Sequence, residues 1–334
     1  MNRAAKRVTI SDPSQTSEVR RAAQNLAASL GFDESKSGKI AIVVTEASTN
    51  LLKHAVQGEI LLHGVEDPAR GTGLEVLALD RGPGIPNLGE SLRDGYSTAG
   101  SAGTGLGAID RLADVFEIYS MPGQGTAILA QFWPRQSAVP AFEVSGLLVA
   151  TEGEELCGDA WSHCAGTDAL SVFVADGLGH GPLAQSAAEQ AVQAYESNER
   201  LPPVKVLEAV HAATRSTRGA AVALAQIRSS DRTVRFAGIG NIAGVLAHTT
   251  RQRHMVSMGG IVGHEMRNLR EFTYPWEPGS LMILHSDGLG TRWDLSKYPG
   301  LAHKPCALIA AVLWRDMVRG RDDSAVVVAR ETVQ

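Results

Sequence analysis

Apolar residues recur at helical spacing over residues 17–30, where Val19, Ala22, Ala23, Leu26 and Leu30 form one stripe and Gly31 supplies a stop. A second stripe over residues 34–55, built from Ile40, Val43, Val44, Ala47, Leu51 and Leu52, predicts a longer amphipathic helix. Strand patterns follow at 59–63 and 74–80, then a glycine-rich loop over 81–103, a helix over 106–113 and strands at 115–120 and 126–133. A polar stretch between Pro134 and Pro140 interrupts the pattern, which then restarts. Strands are expected at 143–150, 170–175, 220–228, 233–239, 244–248, 280–286 and 325–330. Helices are expected at 183–197, 203–214 and 307–319. The pattern therefore predicts an α+β first domain with few helices and a strand-dominated second domain with helices outside it.

Length agrees with that division, since 334 residues at about 150 per domain give about two domains. Hydrophobic residues make up 44% and charged residues 20%, a globular composition. The formal net charge is −5, with 13 basic against 15 acidic residues in 1–138 and the remaining excess of acid in the second part. Neither part is basic, and aromatic residues are 5%, so nucleic acid is not an expected partner. No apolar run approaches the ~18 residues of a membrane span, and no apolar h-region follows the basic residues of the first seven positions. Neither a membrane nor a secretory signal is expected. Cys157, Cys164 and Cys306 form no C-x-x-C pair and no even framework, which fits a reducing cytoplasm.

Chemistry enters the first domain on its second helix. Glu46, Asn50 and His54 recur every four residues and so spread over about 80° of one face. By itself such a stripe is more often a solvated face, but two later segments give it company. Asp80-Arg81-Gly82-Pro83-Gly84 places a carboxylate at a strand end ahead of glycines that allow close backbone approach. Gly103-Thr104-Gly105-Leu106-Gly107 opens a helix, where free N–H groups suit phosphates. The order and spacing resemble the GHKL ATPases: Glu46-x-x-x-Asn50 matches their N-box, and Asp80-x-Gly82-x-Gly84 and 103–107 match their glycine boxes. Gly123-Gln124-Gly125-Thr126 is similar to the last box, and Asp94-Gly95-Tyr96-Ser97-Thr98 resembles the RsbT-type serine/threonine switch kinases of bacterial stress signalling.

That resemblance covers about residues 5–135 and implies a specific division of labour. Asn50 would ligate a Mg²⁺ bridging the phosphates of ATP, Glu46 would be the general base that takes the substrate hydroxyl proton, and Asp80 would read the adenine. Gly82, Gly84, Gly103, Thr104, Gly105, Leu106, Gly107 and Thr126 would complete the nucleotide site. Residues 86–102, with Gly89, Gly95 and Gly100, would be the ATP lid. For His54 a place near the phosphates and a plain helix-end role both remain open.

The second domain repeats one device, an aspartate on a tight turn at a strand end. Asp159 follows Cys157-Gly158, Asp176 opens Asp176-Gly177-Leu178-Gly179-His180-Gly181, Asp287 sits in Ser286-Asp287-Gly288, and Asp322-Asp323 precedes the last strand. Singly, each reads as a turn. Together, carboxylates placed alike on separate strands suggest a shared oxygen-rich centre that favours Mg²⁺ or Mn²⁺ over Zn²⁺.

This half resembles the SpoIIE-type branch of the PPM metal-dependent serine/threonine phosphatases, among them the RsbX-like enzymes, over about residues 142–330. The resemblance implies hydrolysis by two Mn²⁺ or Mg²⁺ ions, bridged by Asp176, with Asp159, Asp287, Asp322 and the Gly177 carbonyl completing the shell. Asp323 rivals Asp322 for the last ligand position. His180 is expected to be structural, to orient water or to protonate the leaving oxygen. Ala325 stands where relatives usually carry threonine, a departure that concerns the support of the site rather than its ligands.

The expected fold is thus α+β throughout, an N-terminal GHKL (Bergerat) α/β sandwich over 1–135, a linker over 136–141 and a PPM-type β-sandwich flanked by helices over 142–334. The implied protein is a cytoplasmic kinase and phosphatase in one chain, acting on a STAS-domain partner of the RsbS or RsbR kind. A downstream regulator or an anti-sigma pathway protein would be a further partner. The alternative is an ATP-gated binding or sensing module, like an anti-sigma factor, that controls the fused phosphatase.

Overall fold

The computed structural model describes residues 4–88, 105–137, 139–248 and 251–332. The chain separates into a unit over Ala5–Ala138 and a second over Val139–Gln334 that also takes in Ala4.

In the first unit, helix α1 (Pro13–Ser29) starts at an Asp12 cap, whose side chain accepts from Ser14 N while Gln15 reaches back in a capping box. Helix α2 (Glu34–His54) starts at Asp33, which accepts from Lys36 N at 2.7 Å. Both helices lay their apolar stripes on one face of an antiparallel sheet of order β1-β2-β3-β5-β4. Its strands are β1 (Lys6–Ile10), β2 (Gly58–Asp67), β3 (Gly71–Leu79), β4 (Val115–Met121) and β5 (Gly125–Phe132). Val43, Val44, Ala47 and Leu51 of α2 pack with Ile60, Leu62, Val76, Ala78 and Ala130 of the sheet. Packing α2 by that stripe leaves Glu46 and Asn50 only partly covered. A short helix, α3 (Gly105–Leu112), packs beside α2.

The second unit contains two five-stranded sheets, ordered β13-β10-β9-β8-β7 and β12-β11-β14-β15-β6. The first is built from β7 (Asp159–Ala165), β8 (Ala169–Gly177), β9 (Ala220–Arg228), β10 (Thr233–Ile239) and β13 (Phe272–Pro275). The second is built from β6 (Phe142–Val149), β11 (Ala243–His248), β12 (Arg251–Met255), β14 (Leu281–His285) and β15 (Ser324–Glu331). Alternate residues of the two sheets meet in one core, where Val172, Val174, Ala223 and Phe236 face Leu246, Met282, Leu284 and Val327. The opposite face of the first sheet, with Phe173, Ala175, Val222 and Leu224, packs on helices α4 (Pro182–Glu196) and α5 (Pro203–Ala213). Helix α6 (Cys306–Met317) packs on β6 and β15. Central strands such as β8 and β9 are therefore covered on both faces, which is why their apolar runs are nearly continuous.

The strands the sequence pattern does not reveal are β1, β7, β12 and β13, and all four lie at sheet edges. An edge strand is half solvated and carries charge against further pairing, so Arg251-Gln252-Arg253-His254 has no apolar alternation to read. Among the described residues no helix is long and apolar enough to cross a membrane.

Phe236 is fully buried where the two sheets meet. Phe236→Ala is expected to cost the second unit about 3–5 kcal/mol. In calorimetry it should lower that unit's transition and leave the transition of the first in place.

Candidate functional sites

In the first unit, two segments distant in sequence meet the exposed edge of α2. A Cβ added to Gly105, the first residue of α3, would stand 3.2 Å from both Asn50 Oδ1 and Glu46 Oε2. The two side chains therefore converge on the start of a helix, where backbone N–H groups lack intrahelical partners. Asn50 Nδ2 is buried and has no hydrogen-bond partner among the described residues. A buried amide left in this state is costly unless a ligand satisfies it. Its oxygen suits a hard cation and its nitrogen suits a phosphate oxygen, so the pair fits an Mg²⁺-nucleotide.

Asp80 stands immediately after β3, where its N–H donates to Thr126 O at 2.9 Å and its Oδ1 accepts from Gly82 N at 2.6 Å. Gly84, at φ +72°, and Gly125, at φ +84°, press against the Met121 and Asp80 carbonyls so closely that any side chain would overlap them. Thr126 Oγ1 lies 2.9 Å from Ser120 Oγ, which in turn accepts from Ile85 N at 2.8 Å. The first and last glycine boxes are thus one interlocked structure, with Ser120 as a member that the motif reading does not include.

His54 ends α2 with its side chain exposed, and only its carbonyl lies against Gly82. Leu106 packs into the apolar core, so its contribution to a nucleotide site would come through the backbone, and Gly107 is buried. Gly103, Thr104 and the segments 89–102 and 94–98 lie outside the described residues.

In the second unit the topology gathers the aspartates. Asp159 opens β7 and is paired in register with Asp176 near the end of β8. Asp287 follows β14 and Asp322-Asp323 precede β15, two antiparallel neighbours. A hydrogen bond of 2.6 Å from Ser286 Oγ to Asp159 Oδ2 ties one sheet to the other, and the same Ser286 oxygen accepts from Ala325 N at 2.9 Å. Asn241 Nδ2 donates to Asp287 Oδ2 at 2.7 Å. Gly177 packs directly on Ala184, and a Cβ there would overlap the Ala184 carbonyl.

The neighbouring positions 322 and 323 have different tasks. Asp323 is 2% exposed, and its two oxygens accept from Thr151 N at 2.8 Å and Gly158 N at 2.6 Å. It anchors the turn that carries Asp159. Asp322 is the more accessible carboxylate, and it accepts from Asp323 N at 2.9 Å. This geometry favours Asp322 for the ligand position and gives Asp323 a supporting one.

The carboxylates of the cluster raise one another's proton affinity. Burial, then the charges of Asp287, Asp322 and Asp323, push the Asp176 carboxyl up to about 7. Burial and Asp176 raise Asp159 well above the usual carboxylate range, with opposition from the Ser286 hydroxyl. Burial and Asp287 raise Asp322. Among the described residues, no group of three or more His, Cys, Asp or Glu side chains converges closely enough to hold a metal ion. An oxygen-only, partly open donor set is one that Mg²⁺ or Mn²⁺ occupies with water in the remaining positions. Cys157 and Cys306 are buried and their thiols are raised, chiefly by burial, which fits packing rather than reactivity.

Sequence reasoning does not include Ser286, Asn241 and Glu154 in the site. The first two adjoin recognisable glycine motifs. Glu154, whose Oε1 is 2.7 Å from His180 Nδ1, has no sequence signal.

Comparison with known proteins agrees with this division. Residues 9–132 match the histidine kinase-like ATPase domain, and residues 166–330 match the stage II sporulation protein E (SpoIIE) family. The chain is 37% identical over 117 residues to the serine/threonine-protein kinase RsbT of Bacillus subtilis (strain 168), covering 35% of this chain and 87% of that protein. It is 28% identical over 142 residues to the phosphoserine phosphatase RsbX of the same organism, covering 41% of this chain and 70% of that protein. A structure of RsbX in complex with magnesium superposes with a TM-score of 0.53 at 21% identity, covering 59% of this chain and 99% of that one, which shows the fold.

The raised carboxylates give a pH test of cation binding. A carboxyl whose folded pKa is raised favours folding most when it is protonated, so the metal-free unit loses this stabilisation as pH rises from about 3.8 towards about 7. Cations relieve the repulsion only among ionised groups. Mn²⁺ should therefore raise the melting temperature of the second unit more at pH 8 than at pH 5.5; an equal gain at both would count against the cluster as the binding site.

Proposed function

We propose, from the premise that this chain belongs to the histidine kinase-like ATPase family through its first unit and carries a SpoIIE-type PPM serine/threonine phosphatase domain in its second, that it both adds and removes a phosphoryl group on one partner protein. The partner class that best suits such a chain is a STAS-domain regulator of the RsbS or RsbR kind. The reading is supported by likeness to a serine/threonine kinase and to a phosphoserine phosphatase in one polypeptide. The observation that carries the phosphatase half is the gathering of Asp159, Asp176, Asp287 and Asp322 at one end of the sandwich, at raised proton affinity for three of them.

In the first unit, Asn50 would hold Mg²⁺ with ATP, and Glu46 would accept the hydroxyl proton of the partner's serine or threonine. Asp80 would accept from the adenine amino group, with Gly82, Gly84 and Thr126 shaping the pocket around it. The approach of Glu46 and Asn50 to the same helix start supports this pairing of roles.

In the second unit, Asp159, Asp176, Asp287, Asp322 and the Gly177 carbonyl would hold two Mg²⁺ or Mn²⁺ ions. Such ions supply Lewis acidity at phosphorus and lower the pKa of water. Ser286, Asn241 and Asp323 keep the carboxylates in place through the bonds described above. His180 would act at the reacting group. The ratio of the two activities would then set the phosphorylation level of the partner.

Incubation with [γ-³²P]ATP, Mg²⁺ and a STAS-domain protein should label a serine or threonine of that protein. Glu46→Gln should lower transfer by on the order of 10²-fold or more while ATP binding stays near that of the parent. Asn50→Ala should weaken Mg²⁺-dependent ATP binding itself. ATP binding without any transfer would instead favour the gated binding module. Phosphate release from the labelled partner should require Mn²⁺ or Mg²⁺ and disappear in Asp176→Asn, and its persistence there would refute the ligand assignment.

A further inference from the structure

Large apolar side chains left in solvent are ordinary when they stand singly, whereas a group of them marks a surface that another molecule covers. Three leucines of this kind stand on the segments that carry the aspartates. Leu156 is 37% exposed just before Asp159, Leu178 is 39% exposed just after Asp176, and Leu183 is 57% exposed in the first turn of α4. The backbone brings these segments together. Gly177 N donates to Gly158 O at 3.0 Å, and a Cβ added to Gly158 would stand 2.8 Å from the Ala184 Cβ and 3.3 Å from Gly179 O. Each leucine is thus one or two residues from a single glycine contact beside the cluster. A cation joins them there. Leu178 N donates to Gly219 O at 3.1 Å, and a Cβ at Gly179 would stand 3.2 Å from Arg218 Nη1. The Arg218 backbone is pinned by His264, whose Nε2 lies 2.9 Å from its carbonyl oxygen. Its side chain is exposed and has no ion pair among the described residues.

We propose that Leu156, Leu178, Leu183 and Arg218 form the surface on which the second unit seats a folded phosphoprotein. The leucines meet apolar side chains around the phosphoserine, and the guanidinium meets a carboxylate of the same protein. The inference rests on the reading of this unit as a metal-dependent phosphatase and names what selects its substrate. The occupant follows from place and charge. A phosphoseryl group brought to the aspartates carries its own protein surface onto residues a few positions away from them, so the reacting substrate covers this patch. The phosphoryl group is common to every phosphoprotein and cannot choose among them, whereas apolar burial beside it can. An apolar centre with an arginine next to it is also the usual composition of an interface hot spot. The unpaired guanidinium asks for an anionic counterpart on the partner. A second copy of this chain seated on the same leucines would stand over the aspartates and keep substrate out.

The test compares three substrates with Mn²⁺ and the full chain. They are a serine-phosphorylated STAS-domain protein, the phosphoseryl peptide excised from it, and p-nitrophenyl phosphate, which brings no protein surface. The parent should prefer the intact phosphoprotein to its peptide by about 10-fold or more in kcat/KM. Leu156→Ser combined with Leu183→Ser should raise KM for the phosphoprotein about 10-fold or more with kcat unchanged, and leave both constants for p-nitrophenyl phosphate within about twofold of the parent. Arg218→Gln should raise the same KM about threefold, spare p-nitrophenyl phosphate and weaken the dependence of KM on salt. All three side chains lie in solvent, so the melting temperature should stay that of the parent. Equal losses on all three substrates, no loss on the phosphoprotein, or no preference of the parent for the folded phosphoprotein would overturn the inference. So would a parent dimer that the double leucine variant converts to a monomer. A parent that hydrolyses none of the three, or an Asp176→Asn variant that still hydrolyses p-nitrophenyl phosphate, would instead bring down the phosphatase reading beneath it.

Discussion

The second unit is organised around a repulsion. Four aspartates reach the same end of a sandwich whose folding energy comes from apolar burial, and the fold must hold them together before any cation compensates them. The means are specific. Ser286 bonds Asp159 across the two sheets, Asn241 bonds Asp287, and Asp323 anchors the backbone at Thr151 and Gly158. Each bond holds one carboxylate oxygen in a defined place. The cost appears in the proton affinity of Asp176, pushed up to about 7.

The first unit meets a related demand with one helix. The stripe of α2 that includes Val43, Val44, Ala47 and Leu51 binds it to the sheet, and that anchorage sets the direction in which Glu46 and Asn50 project. Glycine does the rest. Gly105 allows α3 to begin against those two side chains, while Gly84 and Gly125 let the loops after β3 and before β5 nest without side chains between them. The result is a buried Asn50 amide with no hydrogen-bond partner among the described residues, held beside Glu46 and the start of α3.

Much of this was legible in the residues because the informative positions carry strong local constraints. Helices α1 and α2 announce themselves by capped, amphipathic stripes, and strands covered on both faces by continuous apolar runs. The aspartate sites stand out because Asp-Gly after an apolar strand is a local pattern. The edge strands β1, β7, β12 and β13 did not stand out, since solvent on one side and charge against further pairing erase the alternation that reveals a strand. The helix at the second glycine box was legible, and the contact it makes with Asn50 was not.

By its own pattern the sequence determined the interior elements, the break between two units, the glycine positions and the set of carboxylates available for chemistry. Those features depend on periodicity and on backbone freedom, which act over a few residues. Tertiary structure alone decided which of two adjacent aspartates, Asp322 or Asp323, is turned to the open cluster and which is spent on backbone N–H groups. It alone brought Ser286 to Asp159, Asn241 to Asp287 and Glu154 to His180. Such pairings join residues 26 to 127 positions apart, and at that separation partnership is set by how strands order themselves in the sheets, which no local pattern contains.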